Sequence, residues 1–287
     1  MRPANIITAV ADVLAGASIA GIFFVTIFPA IDSLKPVVYL ILSTIGLYGG
    51  GVVFNDVFDA ELDAIERPER AIPSGLITKR EGTIFGIFLL IPGIFFALMI
   101  HPTAGLLAIF ITFFALVYDK WGKRHSFLGP LNMGLCRGLN LLLGISLNLP
   151  SLSHLWWLAF VPIVYIAAIT MTSRGEVHGG KPIVLYATSL LYGLVILSIG
   201  TISFCNGHLL ITISFLLLFI GLIFPPLLKA IKDPIGKNIG KAVKAAVISL
   251  IVMNASWAAA YGYFSLALMI LLLLPLSLLL ARIFAVT

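Results

Sequence analysis

Apolar runs of about 20 residues recur along the whole chain, separated by short polar stretches. A run of that length is what an α-helix needs to cross the hydrocarbon core of a bilayer. The pattern predicts spans near 6–29, 36–58, 82–100, 103–119, 127–147, 155–173, 183–203, 209–230, 239–262 and 265–284. The final pair can also be read as one span plus a re-entrant segment. The expected fold is therefore all-α, a multi-span transmembrane bundle of nine to ten helices. No low-complexity linker divides the spans, so residues 1–287 are expected to form a single integral membrane domain. With one early Arg2 and a first apolar stretch of span length, no cleavable signal peptide is expected.

Composition removes the soluble alternative, because 60% of the residues are hydrophobic and only 10% charged. The placement of the charges predicts an orientation. If the N-terminus lies in the cytoplasm, the inside segments are 1–5, 59–81, 120–126, 174–182, 231–238 and the C-terminal tail. Those segments and the adjoining helix ends hold every one of the 18 Lys and Arg residues except Lys35 and Arg137. That asymmetry is what the positive-inside rule describes, and it predicts a multi-pass inner-membrane protein. The net charge of +6 is then a matter of topology, and no nucleic-acid partner is expected. Cys136 and Cys205 sit in separate predicted spans, with neither disulfide nor metal-ligand spacing.

The candidate chemistry lies where the second span ends. Residues 55–63 read Asn55-Asp56-Val57-Phe58-Asp59-Ala60-Glu61-Leu62-Asp63. In a continuous helix Asp56, Asp59 and Asp63 share one face, at a helix C-terminus where negative charge opposes the macrodipole. Such an arrangement calls for a counter-charge, and a hard divalent cation such as Mg²⁺ fits, since it binds carboxylates together with substrate phosphates. Arg67 and Arg70 follow within a dozen residues, before the Pro73-Ser74-Gly75 turn, and arginine forks suit phosphate oxygens. Glu66, Glu69 and Lys79 read as a solvated loop. These residues together point to a membrane enzyme that handles a diphosphate.

The segment Asn-Asp-x-x-Asp-x-x-x-Asp, with Arg-Pro and Pro-Ser-Gly after it, resembles the UbiA superfamily of intramembrane prenyltransferases. Arg2-Pro3-Ala4-Asn5 is similar to that family's start, Tyr118 to Arg124 to its Tyr…Lys segment, and Leu128 to Asn132 with Arg137-Gly138 to its fifth helix. The wording is also similar to the UbiA-like branch of bacterial ebo gene clusters. The resemblance implies a helical bundle around a lipid-accessible cavity, with a prenyl diphosphate bound through Mg²⁺ on the cytoplasmic side. Its isoprenoid chain would pass to an acceptor that the sequence does not identify; oligomeric state is equally open. Carried over by position, Asp56, Asp59 and Asp63 are the metal carboxylates, with Asn55 beside them and Asn5 nearby. Arg67, Arg70 and Lys123 meet phosphate, and Tyr118 faces the allylic cation. An interfacial aromatic and a topology-setting lysine are the plainer readings of Tyr118 and Lys123.

The family's second acidic motif is degenerate. Aligned to it, residues 173–180 place Ser173, Glu176 and Gly180 at the acidic positions, so only Glu176 keeps a carboxylate as a metal ligand. Either Arg174, His178 and Lys181 contact the diphosphate in place of metal charge, or the chain binds or moves a polyprenyl-phosphate-like lipid without catalysis. Asp12 is an ionisable group inside a span and hence a functional candidate; the alternative is a bundle-facing pair with Arg137. Asn140, Asn254 and Trp257 either line the cavity or serve interhelical packing.

Overall fold

A computed structural model describes residues 3–22, 31–177 and 179–283. Regular structure among them is helical throughout: α1 (Pro3–Ile19), α2 (Ile31–Phe58), α3 (Ala60–Glu66), α4 (Lys79–Leu98), α5 (Pro102–Lys120), α6 (Leu128–Ile145), α7 (Leu149–Leu155), α8 (Phe160–Ser173), α9 (Pro182–Cys205), α10 (Leu209–Lys232), α11 (Gly236–Ala260), α12 (Phe264–Leu271) and α13 (Leu273–Ile283). Short 3₁₀ turns occupy Gly122–Arg124 and Trp156–Ala159. Among the described residues seven segments are long and apolar enough to cross a membrane, including Leu149–Ser173, which joins α7 to α8. The protein is a multi-pass membrane protein.

The predicted spans are recovered with three physical adjustments. The first helix ends at Ile19, and residues 23–29 of its predicted span lie outside the described residues. α6 is not among the seven long apolar segments, because Asn132, Arg137 and Asn140 dilute its apolar content; it stays inside the bundle, where those side chains are buried. The last predicted span is two helices, α12 and α13, that meet at Leu272. The acidic loop after α2 folds into a helix of its own, α3.

α11 is the axis of the bundle. It is the most deeply buried of the long spans, at 83%, and every residue from Ile248 to Ala260 is shielded. Small alanine and serine side chains recur along that stretch, and α1, α8, α9, α10 and α12 all pack on the helix. One core gathers α6 and α8–α11 around Tyr165, Phe219 and Trp257. A second gathers α2, α4 and α5 around Leu40, Leu47, Leu90 and Ile111. α1 stands between them, against both α6 and α2.

Where lipid is as apolar as leucine, helices associate through close backbone contact at small residues. α1 and α6 meet at Gly16 and Gly144, whose Cα atoms are so near that a Cβ on Gly144 would stand 2.4 Å from the Val13 carbonyl oxygen. α2 and α4 meet likewise at Gly46 and Gly93. The α1–α6 crossing brings Asp12 onto the helix that carries Arg137.

Side chains and turns tie the connections together at each end of the bundle. At one end Lys123 pairs with Asp59, Arg174 Nη2 donates to the His125 carbonyl at 2.5 Å, and the Gly180 N–H donates to the Pro234 carbonyl at 3.1 Å. At the other, Asn148 Nδ2 donates to Ala20 O at 3.0 Å and Asn206 Nδ2 to Ala260 O at 3.1 Å.

Gly144→Leu forces two backbones apart and is expected to cost about 1–3 kcal/mol or more, whereas Gly193→Leu, with open space around its Cβ position, is expected to be tolerated. Thermal unfolding of the detergent-purified variants checks this; equal shifts for the two would contradict the packing argument.

Candidate active site

The site begins where α2 breaks. Helical hydrogen bonding runs through Asp59, whose N–H donates to the Asn55 carbonyl at 3.0 Å; Asp59, at φ −87° and ψ −1°, then caps α3. The break places Glu61 and Asp63 in the first turn of α3, where negative charge is favoured and not opposed. The three aspartates are shared between two cations. Asp56 Oδ1 and Asp63 Oδ2 both accept from Arg70 Nη1, at 3.2 and 2.6 Å. Asp59 instead pairs with Lys123, from the turn after α5.

Tyr118 and Asp119 belong to the last turn of α5. Asp119 is buried, and its Oδ1 accepts from Asn55 Nδ2 at 3.1 Å, which joins α5 to the end of α2. Asn55, Tyr118, Asp119 and Lys123 line the mouth of a cavity of about 300 Å³. Leu47, Val52, Ile111, Ala115 and Met133 form its apolar middle, and Thr44, Tyr48, Arg137 and Asn140 its inner end. Tyr48 lies about two helical turns before Asn55, so some 10 Å of α2 separates the two polar ends. On the other side of α2, Asp56, Asp63 and Arg70 border a second pocket, walled by Val53, Ile72, Pro73, Ile77 and Phe85.

A buried polar network closes the inner end. Arg137 Nη1 donates to Asp12 Oδ2 at 2.8 Å, and Arg137 Nη2 donates to Thr8 Oγ1 at 2.8 Å. Asn140 Nδ2 donates to Asp12 Oδ2 at 3.2 Å and Asn254 Nδ2 to Asp12 Oδ1 at 2.7 Å. Thr44 Oγ1 donates to Asn140 Oδ1 at 2.7 Å, and the guanidinium lies 5.2 Å from the centre of the Tyr48 ring. Asp12 is thus the partner of Arg137. The network knits α1, α2, α6 and α11 through one carboxylate.

The remaining sequence candidates are spread out. Asn5 is buried at the start of α1, and its carbonyl accepts from Thr8 at 2.7 Å, one step from Arg137. Arg67 is exposed on the turn after α3. Arg174, Glu176 and Lys181 sit on the connection from α8 to α9, which packs on the start of α11 through Gly175, Gly180 and Ile239; none of the three lines the cavity. Trp257 is buried in the same core cluster as Tyr165, not in the cavity wall. Arg2 and His178 lie outside the described residues.

Asp119, Tyr48 and Thr44 were not singled out by sequence reasoning. An acidic residue at the inner edge of an apolar span is a signal for Asp119, masked by the lysines and arginine that follow it. Nothing in the sequence marks Tyr48 or Thr44. Among the described residues no three His, Cys, Asp or Glu side chains converge as a metal cage. The donor chemistry still suits a hard cation: Mg²⁺ takes one or two carboxylates plus phosphate and water; Asn55 and Asp119 offer such oxygens at the mouth, and Asp59 stands next to it through its pair with Lys123.

A family model described as the UbiA prenyltransferase family matches residues 13–224, more than half of the chain. The chain belongs to the UbiA prenyltransferase family. Curated relatives of this UbiA-family chain include the digeranylgeranylglyceryl phosphate synthase of Methanococcoides burtonii, 36% identical over 33% of the chain and 34% of the relative. The enzyme of the same name from Methanothrix thermoacetophila is 33% identical over 50% of the chain and 51% of the relative. The chain therefore spans a third to about half the length of these relatives. Two solved structures share the fold. A UbiA homologue from Aeropyrum pernix K1 superposes with a TM-score of 0.68 at 14% identity, covering 88% of this chain and 96% of that one. A structure described as concerning digeranylgeranylglyceryl phosphate synthase in membranes gives 0.66 at 22%, covering 90% and 94%.

Arg137→Leu leaves Asp12 as an unbalanced buried charge and is expected to lower stability by about 3–5 kcal/mol. The double variant Asp12→Asn/Arg137→Gln, which removes both charges and leaves an amide at each position, is expected to recover most of that loss. Chemical denaturation in detergent distinguishes them; additive losses would contradict the pairing.

Proposed function

We propose that this UbiA-family protein transfers a polyprenyl group from a prenyl diphosphate to an acceptor within the membrane, with Mg²⁺ required. In this reading the protein sits in the inner membrane with the diphosphate held at the cytoplasmic face, where the positive-inside pattern puts the Asp59–Lys123 end of the bundle. The observation that carries the reading is the cavity mouth: carboxylate, amide and ammonium groups stand at the rim of an apolar chamber, the arrangement that a charged head and an isoprenoid tail require together.

Asp59, Asp119 and Asn55 are the proposed holders of the metal, which when bound neutralises the diphosphate and makes it a better leaving group. Asn55 gives its N–H to Asp119, which leaves its carbonyl oxygen as the ligand-capable atom. Lys123 is paired with Asp59 and moves onto a phosphate oxygen when the diphosphate arrives; exposed Arg67 is the second phosphate contact. Arg70 already bridges Asp56 and Asp63, so its first role is to hold the acidic turn in shape. The prenyl C1–O bond breaks with its electron pair leaving on the diphosphate. C1 then bonds to the acceptor's nucleophilic atom, and the proton displaced from that atom passes to the departing diphosphate. Tyr118 presents its ring to the allylic cation, and the apolar wall keeps out water that would quench it.

Arg174 steadies the loop that follows Lys123, through the His125 carbonyl, and Glu176 and Lys181 act from that connection. The relatives' name makes a geranylgeranylated glyceryl phosphate one acceptor class to test. The degenerate second motif, with Glu176 as its remaining carboxylate, favours one alternative: a protein that binds or moves a polyprenyl-phosphate-like lipid.

Purified protein with labelled geranylgeranyl diphosphate, Mg²⁺ and a membrane extract as acceptor tests the reading by diphosphate release. Release is expected in the wild type and is expected to fall about 10²-fold or more in Asp59→Asn, the scale of losing a group that stabilises developing charge. Saturable binding without release would favour the carrier. Glu176→Gln is expected to cost less than Asp59→Asn; an equal or greater loss would overturn that ranking.

A further inference from the structure

We propose that the inner end of the cavity is the acceptor's subsite, built to hold an uncharged, oxygen-bearing group (a hydroxyl or carbonyl on a compact ring) against Arg137 and Tyr48. The inference rests on the prenyl-transfer reading and names the class of its second substrate.

An isoprenoid tail needs no polar contact, and polar groups facing hydrocarbon carry a desolvation cost. Yet Thr44, Tyr48, Arg137 and Asn140 all line the inner end of the chamber, while its apolar middle is available to the tail. Those groups suit an occupant with a polar end. Arg137 is 94% shielded, Asn140 96% and Thr44 98% by the complement of their exposures of 6%, 4% and 2%. This is a built recognition surface within the protein.

The charge balance decides the class of ligand. Asp12 already neutralises Arg137 at 2.8 Å, and the amides of Asn140 and Asn254 satisfy the carboxylate further. A second anion would leave one uncompensated negative charge in a medium of low dielectric constant, a cost that a hydrogen bond does not offset. An uncharged oxygen accepts a charge-assisted bond from the guanidinium and upsets nothing. The contacts to Asp12, Thr8 and Tyr48 do not exhaust the N–H donors of a guanidinium. The spacing agrees: about 10 Å of α2 separates Asn55 from Tyr48, room for one ring between the leaving diphosphate and the polar anchor.

The test uses the full-length protein in detergent, with geranylgeranyl thiolodiphosphate as a slow donor analogue and two acceptor probes followed by calorimetry. Hydroquinone carries uncharged oxygens only; 4-hydroxybenzoate adds a carboxylate to a ring of similar size. Hydroquinone is expected to bind saturably and more tightly than 4-hydroxybenzoate. Tyr48→Phe, Thr44→Val and the fold-preserving Asp12→Asn/Arg137→Gln double variant are expected to weaken hydroquinone about tenfold or more, with the thiolodiphosphate affinity unchanged. Tighter binding of the carboxylate, no saturable binding of hydroquinone, or affinities unaltered in all three variants would overturn the proposal. Hydroquinone binding that responds to these variants in a protein that ignores the thiolodiphosphate would uphold the subsite and sink the prenyl-transfer reading instead.

Discussion

A charge inside an apolar bundle persists only where another charge or a set of dipoles meets it, and this constraint organises the protein. Asp12 and Arg137 lie on neighbouring helices within the bundle, each tolerable because the other is 2.8 Å away. Around that pair Thr8, Asn140 and Asn254 supply the remaining hydrogen bonds. The pair exists because α1 and α6 touch at Gly16 and Gly144, so backbone contact between two glycines determines where a guanidinium faces a cavity. The same rule governs the outer end, where Lys123 answers Asp59, and Arg70 answers Asp56 and Asp63.

The cavity follows from this arrangement. It is polar at both ends and apolar between, with walls drawn from α1, α2, α5 and α6, while α11 and its neighbours form the dense scaffold behind. The outer end carries carboxylate and amide oxygens beside an ammonium group, the end proposed above for the diphosphate; the inner end offers a neutralised guanidinium. Membership of the UbiA prenyltransferase family gives the bundle its architecture, and the placement of Asp119, Tyr48 and Arg137 gives this member its particular chamber.

Much of this was legible beforehand. Spans announce themselves because the bilayer demands about 20 apolar residues at a stretch, and the acidic run at 55–63 stands out against them. The pairing of Asp12 with Arg137 was readable as two lone ionisable groups inside spans. Less accessible was how the triplet is shared: period alone keeps Asp56, Asp59 and Asp63 on one face, and only the cations of Arg70 and Lys123, from a loop and from the turn after α5, show which carboxylates act together. Asp119 hid among basic neighbours. Tyr48 and Thr44 are ordinary span residues whose importance arises from what α6 places opposite them, a tertiary fact with no local signature. In the connection after α8, Glu176 keeps a carboxylate but lies on the α11 side, away from the cavity wall.

The central claim is that the carboxylates at the end of α2 and α5 hold a prenyl diphosphate jointly with magnesium. Calorimetry on intact protein, titrating geranylgeranyl diphosphate with and without Mg²⁺, tests it most directly. The account predicts saturable binding that strengthens with Mg²⁺ and loses that dependence in Asp59→Asn. Folded protein that takes up neither ligand, or binds the diphosphate equally well without metal, would contradict it.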